Sequence, residues 1–243
     1  MRAELSKLLG LPTAWVGLVL GLVAAPALVF VNTPGLRRAL ESGRIADLGY
    51  ENLGIGLLGA LILGVVAVSS EYTSTGDDSP GAHQMTATLL AMPRRSRLLV
   101  AKGVALSLVV AVQGTLTASA TMLLTQVMLP DYAPPFAPAR IAAAVLYWTL
   151  LGLLAFATTL VFRNGIITLT VFIVNSSVVS VSYLLTKLTP WAAYLPDIVG
   201  AHMFLRSMPG ETHIPPLTAG LVMTAWVAAS LAAAGFFFTR RSA

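Results

Sequence analysis

The sequence predicts an all-α membrane protein with six transmembrane helices. Three observations predict it. Mean hydropathy is +0.82 and only 10% of residues are charged, against about a quarter in soluble domains. The apolar residues gather into long runs, each near the ~20 residues that cross a bilayer as a helix. No Asp, Glu, Lys or Arg lies deep within any of these runs.

The elements follow in order. Residues 1–13 alternate Leu5, Leu8, Leu9 and Leu11 with Arg2, Glu4 and Lys7, which predicts a short interfacial helix ending near Pro12. The first span is 14–31. A signal peptide is the rival reading, but the apolar run is too long, Glu4 precedes it, and Pro26 sits inside the Ala25-Pro26-Ala27 site. Residues 32–52 form a polar connection in which Pro34 is expected to open a small helix. The second span is 53–70. A polar loop, 71–102, holds Arg94, Arg95, Arg97 and Lys102 near its end. Within it, 84–90 and 94–102 read as helical pieces separated by Pro93. The third span is 103–127, and 130–138 is a Pro-rich turn. The fourth and fifth spans, 141–162 and 166–185, are separated only by Arg163-Asn164-Gly165, a break short enough to force an antiparallel hairpin. Residues 188–215 are an extracytoplasmic connection. Its apolar middle is too short to cross and is interrupted by Pro190 and Pro196, so a re-entrant or interfacial segment is expected there. The sixth span is 217–238.

Six spans put both ends on one side. Nine of the 15 Lys and Arg fall on the side of the 71–102 loop and six on the other, which places that loop and both termini in the cytosol and the chain in the plasma membrane. The formal net charge of +5 fits positive-inside loops and anionic headgroups better than nucleic acid. With no cysteine there is no disulfide, thiolate metal site or thiol nucleophile.

Several chemistries are argued against by motif. A P-loop needs Gly before its Lys, whereas Lys7, Lys102 and Lys187 follow Ser6, Ala101 and Thr186. There is no G-x-S-x-G and no H-E-x-x-H, so the chain is not read as an enzyme and no catalytic or metal residues are assigned. His83 lies in the inner loop, and His202 with His213 in the outer connection, where a structural or solvated role outweighs metal binding. Gly54, Gly56 and Gly59 spell G-x-G-x-x-G, but inside a span, where small residues serve helix packing. Gly17 and Gly21 form a G-x-x-x-G packing or dimer face. Lacking a buried charge for an ion relay, the spans offer only neutral polar groups. Gln113, Thr117 and Thr121 recur at i, i+4, i+8, and Thr168, Asn175 and Ser182 at seven-residue steps. These either line a substrate pathway, for which Gln113, Thr117 and Asn175 are the candidates, or bridge helices at about 0.6 kcal/mol each.

The loop carries a resemblance. Glu71-Tyr72, then Thr75-Gly76, then Leu90-Ala91-Met92-Pro93-Arg94-Arg95, followed by Arg97 and Lys102, resemble the ABC-2 type permeases of bacterial ABC exporters. So does the opening Glu4-Leu5-x-Lys7-Leu8. Residues 77–82 stand as a polar insertion within that pattern. The resemblance implies a permease pairing with a second copy or a sister permease and with two cytosolic ATPase subunits, which bind the ATP and Mg. A coupling helix between the second and third spans would seat on the ATPase through Glu71, Gln84, Leu89, Leu90, Met92, Arg94 and Arg95. The cargo class would be an amphipathic small molecule, peptide or lipid. The alternative function is a membrane receptor or immunity protein that sequesters a toxic peptide without pumping, using 32–52 and 188–215.

Overall fold

Proline and glycine decide where the helices of this chain begin and how closely they approach. The computed structural model describes residues 2–41, 47–70, 95–175, 181–206 and 214–240. Among them all secondary structure is helical: α1 (Arg2–Gly10), α2 (Pro12–Glu41), α3 (Tyr50–Ser69), α4 (Arg95–Met128), α5 (Pro138–Phe162), α6 (Gly165–Asn175), α7 (Val181–Thr186), a 3-10 turn (Pro190–Tyr194), α8 (Pro196–Ala201) and α9 (Pro216–Arg240). Helices α2, α3, α4, α5 and α9 are long and apolar enough to cross a membrane. The chain is therefore a multi-pass membrane protein.

Two expectations are corrected. The connection 32–52 does not begin at Asn32, and Pro34 opens no separate helix, because α2 runs through Pro26 and Pro34 to Glu41. A proline inside a helix removes one backbone donor, a loss that membrane helices tolerate. Around Pro34 the Thr33 hydroxyl donates to Val29 O at 2.6 Å and Arg38 Nε donates to Pro34 O at 3.3 Å. Of the expected fifth span, 166–185, the structure describes α6 and α7, and 176–180 lie outside the described residues. The entry to α6 is tight. Arg163 takes the left-handed conformation (φ 54°) that ends α5, and Asn164 Oδ1 accepts from Ile166 N (2.9 Å) and Ile167 N (3.2 Å), capping α6.

Elsewhere the prolines act as helix openers. Pro138, Pro190 and Pro196 each stand in the first turn, where the missing N–H is no loss. The third span begins further back than 103, since α4 continues unbroken from Arg95.

The bundle is centred on α3 and α5. Trp148 of α5, 1% exposed, fills the slot left by Gly56 of α3 and Gly114 of α4; a Cβ at either glycine would meet its ring. The Gly17/Gly21 pair packs within the chain: a Cβ on Gly59 of α3 would lie 2.6 Å from Gly21 Cα and 2.7 Å from Gly17 O. Gly54, by contrast, has open space where a Cβ would stand, with nothing within 4 Å. Gly59→Val is therefore expected to destabilise the protein by about 1–3 kcal/mol or more, while Gly54→Ala should be neutral or slightly stabilising; thermal unfolding in detergent compares the two.

Chain ends sort onto two faces. Gly165 abuts Ser69 and Val65 at the end of α3, beside the point where the 71–94 stretch leaves. The 3-10 turn and α8 lie over the opposite end. There Tyr147 Oη donates to Asp197 O (3.4 Å), Trp226 Nε1 donates to Tyr194 O (2.9 Å), and Tyr147 stacks on Phe204 at 6.0 Å between centroids.

Candidate functional site

The first candidate is an ionic joint at the end of the bundle from which the 71–94 stretch departs. Helix α1 lies against α2 and α4. Leu8 is buried in the core, and two backbone bonds, Leu11 N to Leu8 O (3.3 Å) and Ala14 N to Leu11 O (3.1 Å), close the corner into α2. Trp15 Nε1 donates to Leu9 O at 2.9 Å, an amphipathic ring of the kind that sits at headgroup level. This fixes Glu4 against α4. Its Oε2 lies 2.9 Å from Lys102 Nζ, both side chains below 10% exposure, and its Oε1 lies 3.7 Å from Lys7 Nζ, which is half exposed. A buried ion pair is costly to desolvate and strongly destabilising to break on one side only. Lys102 stands two turns into α4, so the joint links the N-terminal helix to the helix that emerges directly from the loop.

A second ionic cluster closes the opposite face. Arg140 Nη2 donates to Asp47 Oδ2 (2.5 Å) and, with Nε, to Phe204 O (2.7 and 3.0 Å). Its guanidinium lies 3.5 Å from the centroid of the buried Tyr50 ring, a cation–π contact. Asp47 Oδ2 also accepts from Arg206 N at 2.8 Å, while Asp47 N donates to Glu51 Oε1 at 2.8 Å, holding the first turn of α3. Gly49, at φ 77°, makes the turn; a Cβ there would meet Met122 Cε at 2.7 Å and Thr125 Oγ1 at 2.9 Å. Sequence reasoning assigned Arg140 only to the outer charge count. The available signal was an acid and a base, Asp47 and Arg140, each set among apolar residues one turn from a span.

The expected pathway residues are placed as follows. Gln113 is 4% exposed, and its Nε2 donates to Gly17 O and Leu18 O, both at 3.0 Å. Thr117, fully buried, donates to Gly21 O (2.9 Å) and lies within reach of Gln113 O. Thr121 and Thr125 bond back to their own helix. The polar stripe of α4 therefore faces α2 and bridges the two helices. Asn175 Oδ1 accepts from Ser182 N (3.2 Å) and Ser182 Oγ (3.1 Å), so its amide serves the first turn of α7. Among the expected coupling residues, Glu71, Gln84, Leu89, Leu90, Met92 and Arg94 lie outside the described residues, and Arg95 is placed only as the backbone that opens α4.

An open groove lies on another face of α4. It has a volume of about 1060 Å³ and is walled by α4 and α5, with Phe136 and, from α9, Leu231. His202, buried, has Nδ1 2.9 Å from Ile198 O; His83 and His213 lie outside the described residues. Among the described residues no group of three or more His, Cys, Asp or Glu is placed to hold a metal ion. Comparison with family models, curated proteins and solved structures finds no match.

Proposed function

We propose that this chain is the permease subunit of an ATP-driven exporter of the ABC-2 type, moving an amphipathic small molecule, peptide or lipid outward while a separate ATPase subunit binds and hydrolyses ATP. The carrying observation is the buried Glu4–Lys102 joint. A push delivered through the loop enters α4 at Arg95 and reaches α1 through that ion pair, so two helices move as one. This is the contiguous contact that mechanical coupling needs. Six crossings suit the reading. Gly165 sits at the loop end beside Ser69, and Arg206 sits at the far end beside Asp47, so the chain changes faces between them. Both termini then share the loop's side, which the excess of Lys and Arg makes cytosolic. The permease pairs with a second copy or a sister chain, and the coupling contact is made by Glu71, Gln84, Leu89, Leu90, Met92, Arg94 and Arg95.

The test is co-purification and transport. A cytosolic ATPase should co-purify with the full chain, and replacing Leu89, Leu90 and Met92 together with Asp should release it or abolish transport. An intact complex with normal transport would refute the coupling assignment. Protection that persists with a catalytically dead ATPase would instead favour the sequestering receptor. Since the chain has no cysteine, single cysteines at positions 94 and 95 give an unambiguous labelling assay for sidedness; labelling from outside would overturn the topology.

A further inference from the structure

We infer that the groove between α4 and α5 is a binding site for an anionic phospholipid, with an acyl chain in the slot and the phosphate at Arg97. The groove runs from Leu99 to Ser119 along α4, about 30 Å at the helical rise and so the depth of the hydrocarbon core. Its floor is low because α4 presents Gly103, Ser107, Ala111, Thr115 and Ser119 there, at four-residue steps; its outer lips, Val100, Val104, Leu108 and Leu146, are exposed.

Small residues at that spacing commonly admit a second helix, and this protein shows what such an interface looks like when occupied. At the α2–α4 contact, Gln113 and Thr117 donate across to backbone carbonyls of α2, and Gly21 is closed against the Gln113 side chain. In the groove the bonded hydroxyls stay within their own helices. Ser107, Thr115 and Thr149 each donate to a carbonyl of their own helix at 2.8 Å, and a Cβ on Gly103 would find only Leu153 Cδ2, at 3.7 Å. The half of the slot next to Arg97, about 15 Å of it, has the depth of one leaflet and takes one acyl chain.

Charge selects the headgroup. Arg97 is exposed and sits three residues before Val100 and seven before Val104, on the stripe that leads into the groove. The first turn of α4 contains no acidic residue, so nothing in that turn competes with a bound phosphate. Arg163 adds positive charge one turn beyond Leu160, at the same end of α5. Basic residues beside interhelical clefts on the positive-inside face are the usual recognition element for anionic lipid.

The experiment uses the full chain in detergent, titrated by native mass spectrometry with phosphatidylglycerol or with phosphatidylcholine of the same chains. Phosphatidylglycerol should be retained in preference. Arg97→Gln should weaken that preference about fivefold, the effect of one basic residue at the surface. Arg37→Gln, at the opposite face, should leave the preference intact. Ala111→Phe, which raises the floor, should reduce retention of both lipids. The inference is overturned if there is no preference, if Arg97→Gln leaves it intact, or if Ala111→Phe alters the oligomeric mass with lipid retention unchanged, which would mean that a helix occupies the groove. Arg97→Gln is a surface change, so its outcome decides even if Ala111→Phe fails to fold. None of these readouts involves an ATPase, so they stand or fall apart from the exporter reading.

Discussion

Arg140→Leu is expected to lower stability by about 3–5 kcal/mol, the loss seen when one partner of a buried ion pair is removed. Arg140 and Asp47 are 13% and 8% exposed, so water does little to screen the charge left behind. The substitution strands Asp47 with Arg206 N as its remaining donor to Oδ2 and leaves Phe204 O without its two guanidinium bonds. It also uncovers the Tyr50 ring. Asp47→Asn should cost less, because the amide oxygen still accepts from Arg206 N. The pair Asp47→Ala with Arg140→Leu should cost less than the sum of the singles, since no unpaired charge remains. Unfolding in detergent, followed by tryptophan fluorescence, measures these variants, the Asp47→Ala single and the parent. A loss below about 1 kcal/mol for Arg140→Leu, the worth of an exposed pair, would show that the cluster does not hold this face together.

That cluster joins three stretches that no local pattern connects: the turn before α3, the start of α5, and the end of the segment after α8. Hydropathy made five of the six expected spans legible as long helices, because a bilayer demands length and apolarity from each span separately. Boundaries were clearest where a proline opens a helix, as at Pro138 and Pro216. They were missed at Pro34, where a proline lies within a helix. The polar residues of α4 were legible as positions on one face. Their orientation toward α2 was not, since periodicity gives a face but not its neighbour. The same limit hid the partner of Gly17 and Gly21, which is Gly59. Glu4 and Lys102 were each visible in the resemblance to ABC-2 permeases; that they meet is a tertiary fact.

Their meeting sets up the second large effect. Lys102→Met should cost about 3 kcal/mol, at the lower end for a broken buried pair, because Lys7 at 3.7 Å still offers Glu4 partial compensation. Glu4→Ala should cost at least as much, since it removes the carboxylate 2.9 Å from a Lys102 that is itself 9% exposed. The double variant Glu4→Leu with Lys102→Met puts apolar groups of similar volume in place of both charges and should recover most of that stability, as buried pairs commonly do. Stability and transmission then separate. A directional ion pair resists sliding of α1 along α4, whereas two apolar side chains in contact do not. If the joint carries motion from the loop to both helices, the double variant folds and assembles with the ATPase yet transports about fivefold more slowly or worse, the loss that goes with about 1 kcal/mol of coupling. Parent-like transport in a stable double variant would reduce the joint to a purely structural contact. Single variants within about 1 kcal/mol of the parent would remove even that role.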